Sequence, residues 1–275
     1  MKKNRHPLSA LVRGLIYVSA ALTALILCAI VLYVAARGIP ALRPSLFSLN
    51  YTSENLSMLP ALLNTVTLTV LTLLIAVPAG VFAAVYLTEF ASRSSRVVRV
   101  IRMAAETLSG IPSIVYGLFG FLAFVIAAQW YFSLAAGVLT LAVMVLPTVL
   151  RTSEEAILAV PDSLREGALA LGASRVRTIF KIVLPAASRG ILSGVILSAG
   201  RIVGESAALI FTAGTAPEIA LTPLDSARTL AVHMYCLFSE GLHTNEAYAT
   251  GFVLLLLTVG INAVSSALAK RLADT

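Results

Sequence analysis

"GILSGVILSAGRIVGESAALIFTAG", residues 190–214, is apolar or small at almost every position, yet it carries Arg201 and Glu205 four residues apart. Its length suits a helix crossing a hydrocarbon core, which takes about 20 residues. Charge is most costly there, roughly 2.5–3.5 kcal/mol for one ionisable side chain at the helix centre even on the gentler insertion scales. The two charges must therefore pair, or face something polar.

The whole chain has the composition of an integral membrane protein. Of its 275 residues, 59% are hydrophobic and 12% charged, where a soluble domain is about a quarter charged. The net charge is +7, but the basic residues fall between apolar runs. That points to membrane topology and not to a nucleic-acid face. Cys28 and Cys236 lie far apart, which is neither a disulfide framework nor metal-ligand spacing.

Six runs are long enough to span: about 15–34, 61–87, 104–128, 133–150, 190–213 and 247–269. Strand alternation with turn signals is missing, which argues against a β-barrel. An all-α integral membrane protein with six transmembrane helices is expected. "MKKNRHP" opens the chain, but the apolar run behind it is too long for a signal peptide and reads as an uncleaved first helix. Lys2, Lys3, Arg5 and Arg13 precede the first helix. Arg93, Arg96, Arg99 and Arg102 fill the second-to-third loop, and Arg151, Arg165, Arg175, Arg177, Lys181 and Arg189 the fourth-to-fifth. Lys270 and Arg271 follow the last helix, whereas the other side holds only Arg37, Arg43 and Arg228. The basic side is cytoplasmic by the positive-inside rule. Both termini are thus expected in the cytoplasm, with outer segments near 38–60 and 214–246. Trp130 and Tyr131 suit interface anchors at the outer turn between the third and fourth helices.

No phosphate-binding loop, HExxH or CxxC motif is present. His6, His233 and His243 lie in terminal or outer segments and read as surface residues. The chain is expected to hold no cofactor and to hydrolyse no ATP, so uphill transport would draw on a partner or an ion gradient.

"VPDSLREGALALGASRVRTIFKIVLP", residues 160–185, reads as two short amphipathic helices. Asp162 or Ser163 would cap the first, Leu164, Ala168 and Leu171 would share a face, and Gly172 would stop it. Val176, Ile179, Phe180 and Val183 would form the apolar side of the second, and Pro185 would break it before the fifth membrane helix. The plain reading is a basic loop lying on lipid headgroups. Glu166, Gly167, Ala168, Gly172, Ile182, Leu184 and Pro185 also resemble the EAA-x3-G-x9-I-x-L-P signature of ABC-importer permeases, with Gly167 in place of the first alanine. "AAETLSGIPSIVYGLFGF" (104–121) and "GRIVGESAALIFTAG" (200–214) are similar to the phosphate-specific branch, with Ala208 where that branch has proline and Ser206 for the commoner threonine. "LAVHMYCLFSEGLHTNEAYATGFVLLL" (230–256) and the "FTAG" ending resemble its PstA class more than its PstC class. "NTVTLTVLTLLIAVPAGVFAAVYL" (64–87) has the N-T…P-x-G pattern that opens the shared core.

The resemblance implies a five-helix MetI-like permease core over 60–275, preceded by one helix and an outer segment in 1–59. Its coupling loop would be 151–189, docking on an ATPase subunit that carries ATP and Mg. It further implies an ATPase dimer, a second, PstC-like permease, an outer phosphate-binding protein and inorganic phosphate as cargo, in a prokaryotic inner membrane. A permease for another solute such as molybdate, sulfate or an amino acid shares the generic loop, and a secondary transporter lies outside the family.

At helical spacing, Gly194, Ser198, Arg201, Glu205 and Thr212 fall on one stripe of the fifth helix. Arg201, Glu205 and Ser198 are expected in the substrate path, Glu205 pairing with Arg201 until an anion arrives; a purely structural salt bridge is the other reading. Gly200 and Gly204 form a small-xxx-small pair for close helix approach. Glu106 is a second pathway residue or a helix-start carboxylate. Gly110, Pro112 and Gly117 point to a bent third helix. Thr65, Thr69 and Thr72 read as helix packing.

Overall fold

The computed structural model describes residues 7–92 and 95–271. Arg93 and the basic residues Lys2, Lys3 and Arg5, with His6, lie outside them. Every regular element among the described residues is helical. Five helical stretches there are long and apolar enough to cross a membrane, and one bent pair makes a sixth span.

α1 (Pro7–Ala41) stands apart, with none of its apolar window covered by the chain. Its main contact is with the last helix, α11 (Thr244–Arg271), at its far end. The core is α5 (Leu134–Leu158), flanked by α2 (Leu59–Val85) and α8 (Leu184–Val203). Gly190 lies over Ala156 and Gly194 over Thr152, so α8 runs antiparallel to α5. At Gly194 the helices approach so closely that any Cβ would collide with the Thr152 hydroxyl. Leu141, Val145, Ile202 and Leu209 then interlock in the largest apolar cluster.

The third run is not one helix. α3 (Arg96–Ser109) and α4 (Ser113–Gly120), continued by a π-helical stretch Phe121–Ala127, meet at 105°. Pro112 lacks an amide hydrogen and stands at the start of α4, so the chain cannot run straight through. α3 is amphipathic. Its Val98 packs with Leu87 and Leu150, and its Arg102 meets Glu154 at 2.5 Å.

Other boundaries also differ from expectation. α5 continues past residue 150 to Leu158, carrying Glu154 and Glu155 inside the helix. The loop segment therefore begins near Val160. α6 (Asp162–Ala170) follows Pro161. Neither Asp162 nor Ser163 caps it, because Asp162 instead holds Arg165 at 3.0 Å. α7 (Arg175–Thr178) runs through a π turn, Ile179–Val183, directly into α8. Pro185 does not break this rod because a proline in the first turn of a helix loses no hydrogen bond. The fifth span is thus Arg175–Val203, and the chain leaves the helix at Gly204.

The opposite end of the molecule is organised by two side chains of α2. Asn64 donates to the Glu218 carbonyl (2.9 Å) and accepts from the Ala220 amide (3.0 Å), pinning the irregular 215–228 segment. Thr65 accepts from the Leu230 amide at 2.8 Å, at the start of α10 (Leu230–Glu240). Thr65, Thr69 and Thr72 are all buried, as helix packing requires. His233 is not a surface residue: it is fully buried in α10 against Tyr51, with Arg228 at 3.4 Å. Burial, then the Arg228 charge, lowers its pKa to about 4.

A depressed histidine favours folding while it stays neutral. Its contribution is complete above pH 6.5, the unperturbed value, and is lost as pH falls toward about 4. The melting temperature of the purified protein is therefore expected to fall over that window, and to fall less in His233→Gln, as thermal unfolding at stepped pH would show.

Candidate functional site

Two regions carry chemistry, one inside the bundle and one at the basic end. The inner region forms where two helices stop part-way across the core. With 1.5 Å per residue along α5 and α8, Arg201 lies roughly 16 Å from the level of the Leu134 end of α5, near the middle of a core about 30 Å thick. The hairpin of α4 and α5, in which Gly120 meets Thr140, puts Ser113 at roughly 20 Å on the same scale. The first turn of α4 and the last turn of α8 therefore end at similar depth.

Broken helices at mid-depth need covered backbone. The segment after α8 turns at Gly204 and forms the short α9 (Ala207–Ile210), which packs on α4. A Cβ at Gly117 would lie 2.8 Å from the Ala208 Cα, so only glycine permits this contact. The Ser133 amide then bonds the Thr212 carbonyl at 3.0 Å, tying the return to the start of α5.

This turn separates the two charges. Glu205 is not on the α8 stripe: the helix has ended, and its carboxylate accepts from the Ala208 amide at 3.1 Å, capping α9. Proline at 208, as the resemblance expects, would lack that hydrogen. Among the described residues no carboxylate lies within 4 Å of the Arg201 guanidinium, so the expected Arg201–Glu205 ion pair is not formed. Arg201 is half-buried in the last turn of α8. The Tyr116 hydroxyl donates to the Leu108 carbonyl (2.7 Å) across the α3–α4 bend. An unpaired guanidinium therefore closes α8 at about the depth where α4 begins with its positive end, an arrangement that suits an anion.

The other expected pathway residues are elsewhere. Ser198 is fully buried with its hydroxyl unpartnered, one turn beyond Gly194. Glu106 is exposed on α3, 4.0 Å from Arg151, in a charged recess with Arg102, Glu154 and Glu155. Gly200 and Gly204 receive no close backbone from within the chain.

At the basic end, α6 stops as expected. Gly172 has φ +83°, the Ala173 amide bonds Ala168, and the Gly172 amide bonds Leu169, a Schellman cap. Glu166 and Gly167 are exposed and Ala168 is buried. Ile182 and Leu184 are half-buried, and Pro185 is exposed. The expected apolar faces are split: Ile179 and Val183 are buried, while Leu171, Leu164, Val176 and Phe180 face outward, Leu171 at 91% exposure.

Arg165, read from sequence only as a topology charge, clasps this end. It bonds Glu89 at 2.9 Å, the Val160 carbonyl at 2.6 Å and the Ile157 carbonyl at 2.8 Å. Arg175 donates to the Glu89 carbonyl and lies over Phe90. The ends of α2, α5 and α6 thus meet on one partly buried arginine. Its partner is 76 positions away, so no local signal could have found it.

The family described as "Binding-protein-dependent transport system inner membrane component" matches residues 76–274. The chain is 36% identical over 269 residues to "Probable ABC transporter permease protein YqgI" of Bacillus subtilis (strain 168), covering 90% of each. It is 39% identical over 205 residues to "Phosphate transport system permease protein PstA" of Haemophilus influenzae, covering 74% of this chain and 72% of the relative. Its fold is similar to a solved MetNI methionine ABC transporter in inward-facing conformations. There the TM-score is 0.63 at 20% identity, over 78% of this chain and 93% of the other.

Removing Arg165 strands a poorly solvated carboxylate. Arg165→Met is expected to cost about 3 kcal/mol and to loosen α6, measured as a lower melting temperature and faster amide exchange over 160–178.

Proposed function

The chain belongs to the inner membrane components of binding-protein-dependent transport systems, the ABC-importer permeases. On that premise we infer that it is the transmembrane permease subunit of an ATP-driven phosphate importer. It is a multi-pass inner-membrane protein. The observation that carries the substrate is Arg201, an unpaired guanidinium at mid-depth where two helices break; the similarity to a PstA permease supports it.

A phosphate arriving from an outer binding protein would shed water as it passes between α4 and α8. The Arg201 fork offers two parallel donors to its oxygens, and the first turn of α4 adds its dipole. Glu205 serves by holding α9, and through it the turn that brings Arg201 to the path. Ser198, fully buried, would back the α8 wall from behind, and Glu106 would sit in the charged recess at the inner end of that path. ATP and Mg would belong to a partner ATPase dimer, and a PstC-like permease would complete the channel. The ATPase would dock at Glu166, Gly167, Ala168 and Gly172, on the exposed apolar surface around Leu171, with Ile182, Leu184 and Pro185 at the root of the rod. The basic ends, including both termini, would face the cytoplasm.

Arg201→Gln is expected to abolish phosphate uptake into vesicles while the complex still assembles, and Arg201→Lys to rescue it in part, since a point charge lacks the fork. Normal uptake in Arg201→Gln would remove the anion site; failure to assemble would make Arg201 structural. Reporters fused after Arg99 and Arg177 are expected to read cytoplasm and one near Leu224 the outside. A cytoplasmic result at Leu224 would overturn the topology.

A further inference from the structure

α3 lies across the bundle and not along it. It meets α4 at 105°, and α4 runs back along α5 with Gly120 against Thr140. Val98 packs with Leu150, Arg102 bonds Glu154, and Glu106 lies 4.0 Å from Arg151. Counted at 1.5 Å per residue from Leu134, these α5 positions fall at roughly 24–30 Å, so α3 keeps within one thin layer. That layer is where a hydrocarbon core about 30 Å thick ends. Exposed aromatic rings mark the same limits. α2 runs parallel to α5, with Leu68 near Gly137 and Gly80 on Val149, which puts Tyr86 and Phe90 at or just beyond the α3 level. Tyr131 and Phe132 are exposed at the other end of α5. Such rings favour the boundary between hydrocarbon and headgroups.

The side chains of α3 sort to match. Arg99, Arg102 and Glu106 recur at steps of three and four and form one stripe. Val97, Val100, Ala104 and Leu108 recur at steps of three, four and four and form the stripe opposite. Between them Val98, Ile101 and Ala105 face the bundle. The chain leaves the second stripe open: Val97 is 62% exposed and Val100 63%, with Met103 beside them at 60%. Arg96 and Arg99 are exposed too, and among the described residues neither has a carboxylate within 4 Å. A charged stripe, an uncovered apolar stripe opposite it, and an axis lying in the boundary plane are the features of a helix that rests on a bilayer.

We propose that α3 is an in-plane helix that binds anionic phospholipids of one leaflet, with Val97, Val100, Ala104 and Leu108 set among the upper acyl chains and Arg96 and Arg99 on the headgroup phosphates. The charge decides the occupant. Two unpaired guanidinium groups at headgroup level find phosphates there, whereas a protein helix laid over the apolar stripe would leave them unanswered. Free phosphate would suit the arginines but would leave the stripe uncovered. The long arginine stems reach the headgroups while the backbone stays at the boundary. α3 leads directly into the bend, and the Tyr116 hydroxyl of α4 is tied back to the Leu108 carbonyl at 2.7 Å. The leaflet would therefore hold the start of α4 in place. The contact does not depend on which solute is carried.

The test is site-directed fluorescence of the assembled complex in vesicles of phosphatidylcholine mixed with phosphatidylglycerol. With Cys28→Ser and Cys236→Ser as background, bimane is placed on Val97→Cys, Val100→Cys or Glu106→Cys. Labels at 97 and 100 are expected to be quenched by brominated lipid and not by aqueous iodide, and the label at 106 by iodide. Brominated phosphatidylglycerol should quench at 97 and 100 as if enriched roughly tenfold over brominated phosphatidylcholine. Arg96→Gln/Arg99→Gln should remove that enrichment, and Arg96→Lys/Arg99→Lys should keep most of it, because a headgroup needs the charge more than the fork. Added inorganic phosphate should change none of these readings. Iodide quenching at 97 and 100 would show a solvated face, and shielding from both quenchers would show a face covered by protein. Either result, or equal quenching by the two lipids in the unsubstituted arginine background, would overturn the proposal.

Discussion

Backbone in a hydrocarbon layer must be hydrogen-bonded by protein, because no water is there to do it. This constraint governs the centre of the structure, where α4 begins and α8 ends at mid-depth. α5 meets it by lying against both. Its contact with α8 is close because Gly194 has no side chain to meet Thr152, and α9 closes on α4 because Gly117 has none to meet Ala208. Only within that cover can the chain turn at Gly204 and leave Arg201 half-buried without a carboxylate.

The same rod joins the two functional regions. From Arg175 to Val203 the helix is continuous, roughly 40 Å at 1.5 Å per residue. One end shares the Arg165–Glu89 clasp region through Arg175; the other carries Arg201. A displacement imposed on the α6 surface therefore meets a stiff element whose far end is the candidate anion site. α3 is tied to the C-terminal end of α5 by Arg102–Glu154, so the piece leading into the bent α4 shares that anchor.

The end of the molecule remote from the α6 clasp is held differently. Asn64 and Thr65 at the start of α2 supply the hydrogen bonds that the irregular 215–228 segment and the start of α10 lack. His233 stays neutral beneath them because burial and Arg228 both oppose its proton. α1 packs on this side, through Gly38 and the Tyr33–Tyr248 pair, and the apolar window of its described length is left uncovered by the chain.

Much was legible in the sequence. Apolar length set the class and the spans, proline and glycine at 110–112 marked the bend, and Gly172 marked a helix end at which only a positive φ fits. These are local properties: the transfer cost of a side chain, or the dihedral a residue can adopt. Tertiary structure decided the rest. Helical spacing placed Glu205 one turn above Arg201, but α8 ends between them because α9 packs on α4, and spacing holds only while the helix lasts. Arg165 reads as one more positive charge until Glu89 comes beside it. Pro185 reads as a breaker until the preceding π turn makes it a first-turn residue. Hydrophobicity acts on each residue alone and is written in the chain, whereas ion pairs, caps and close crossings need two distant segments to meet, and only the packed bundle brings them together.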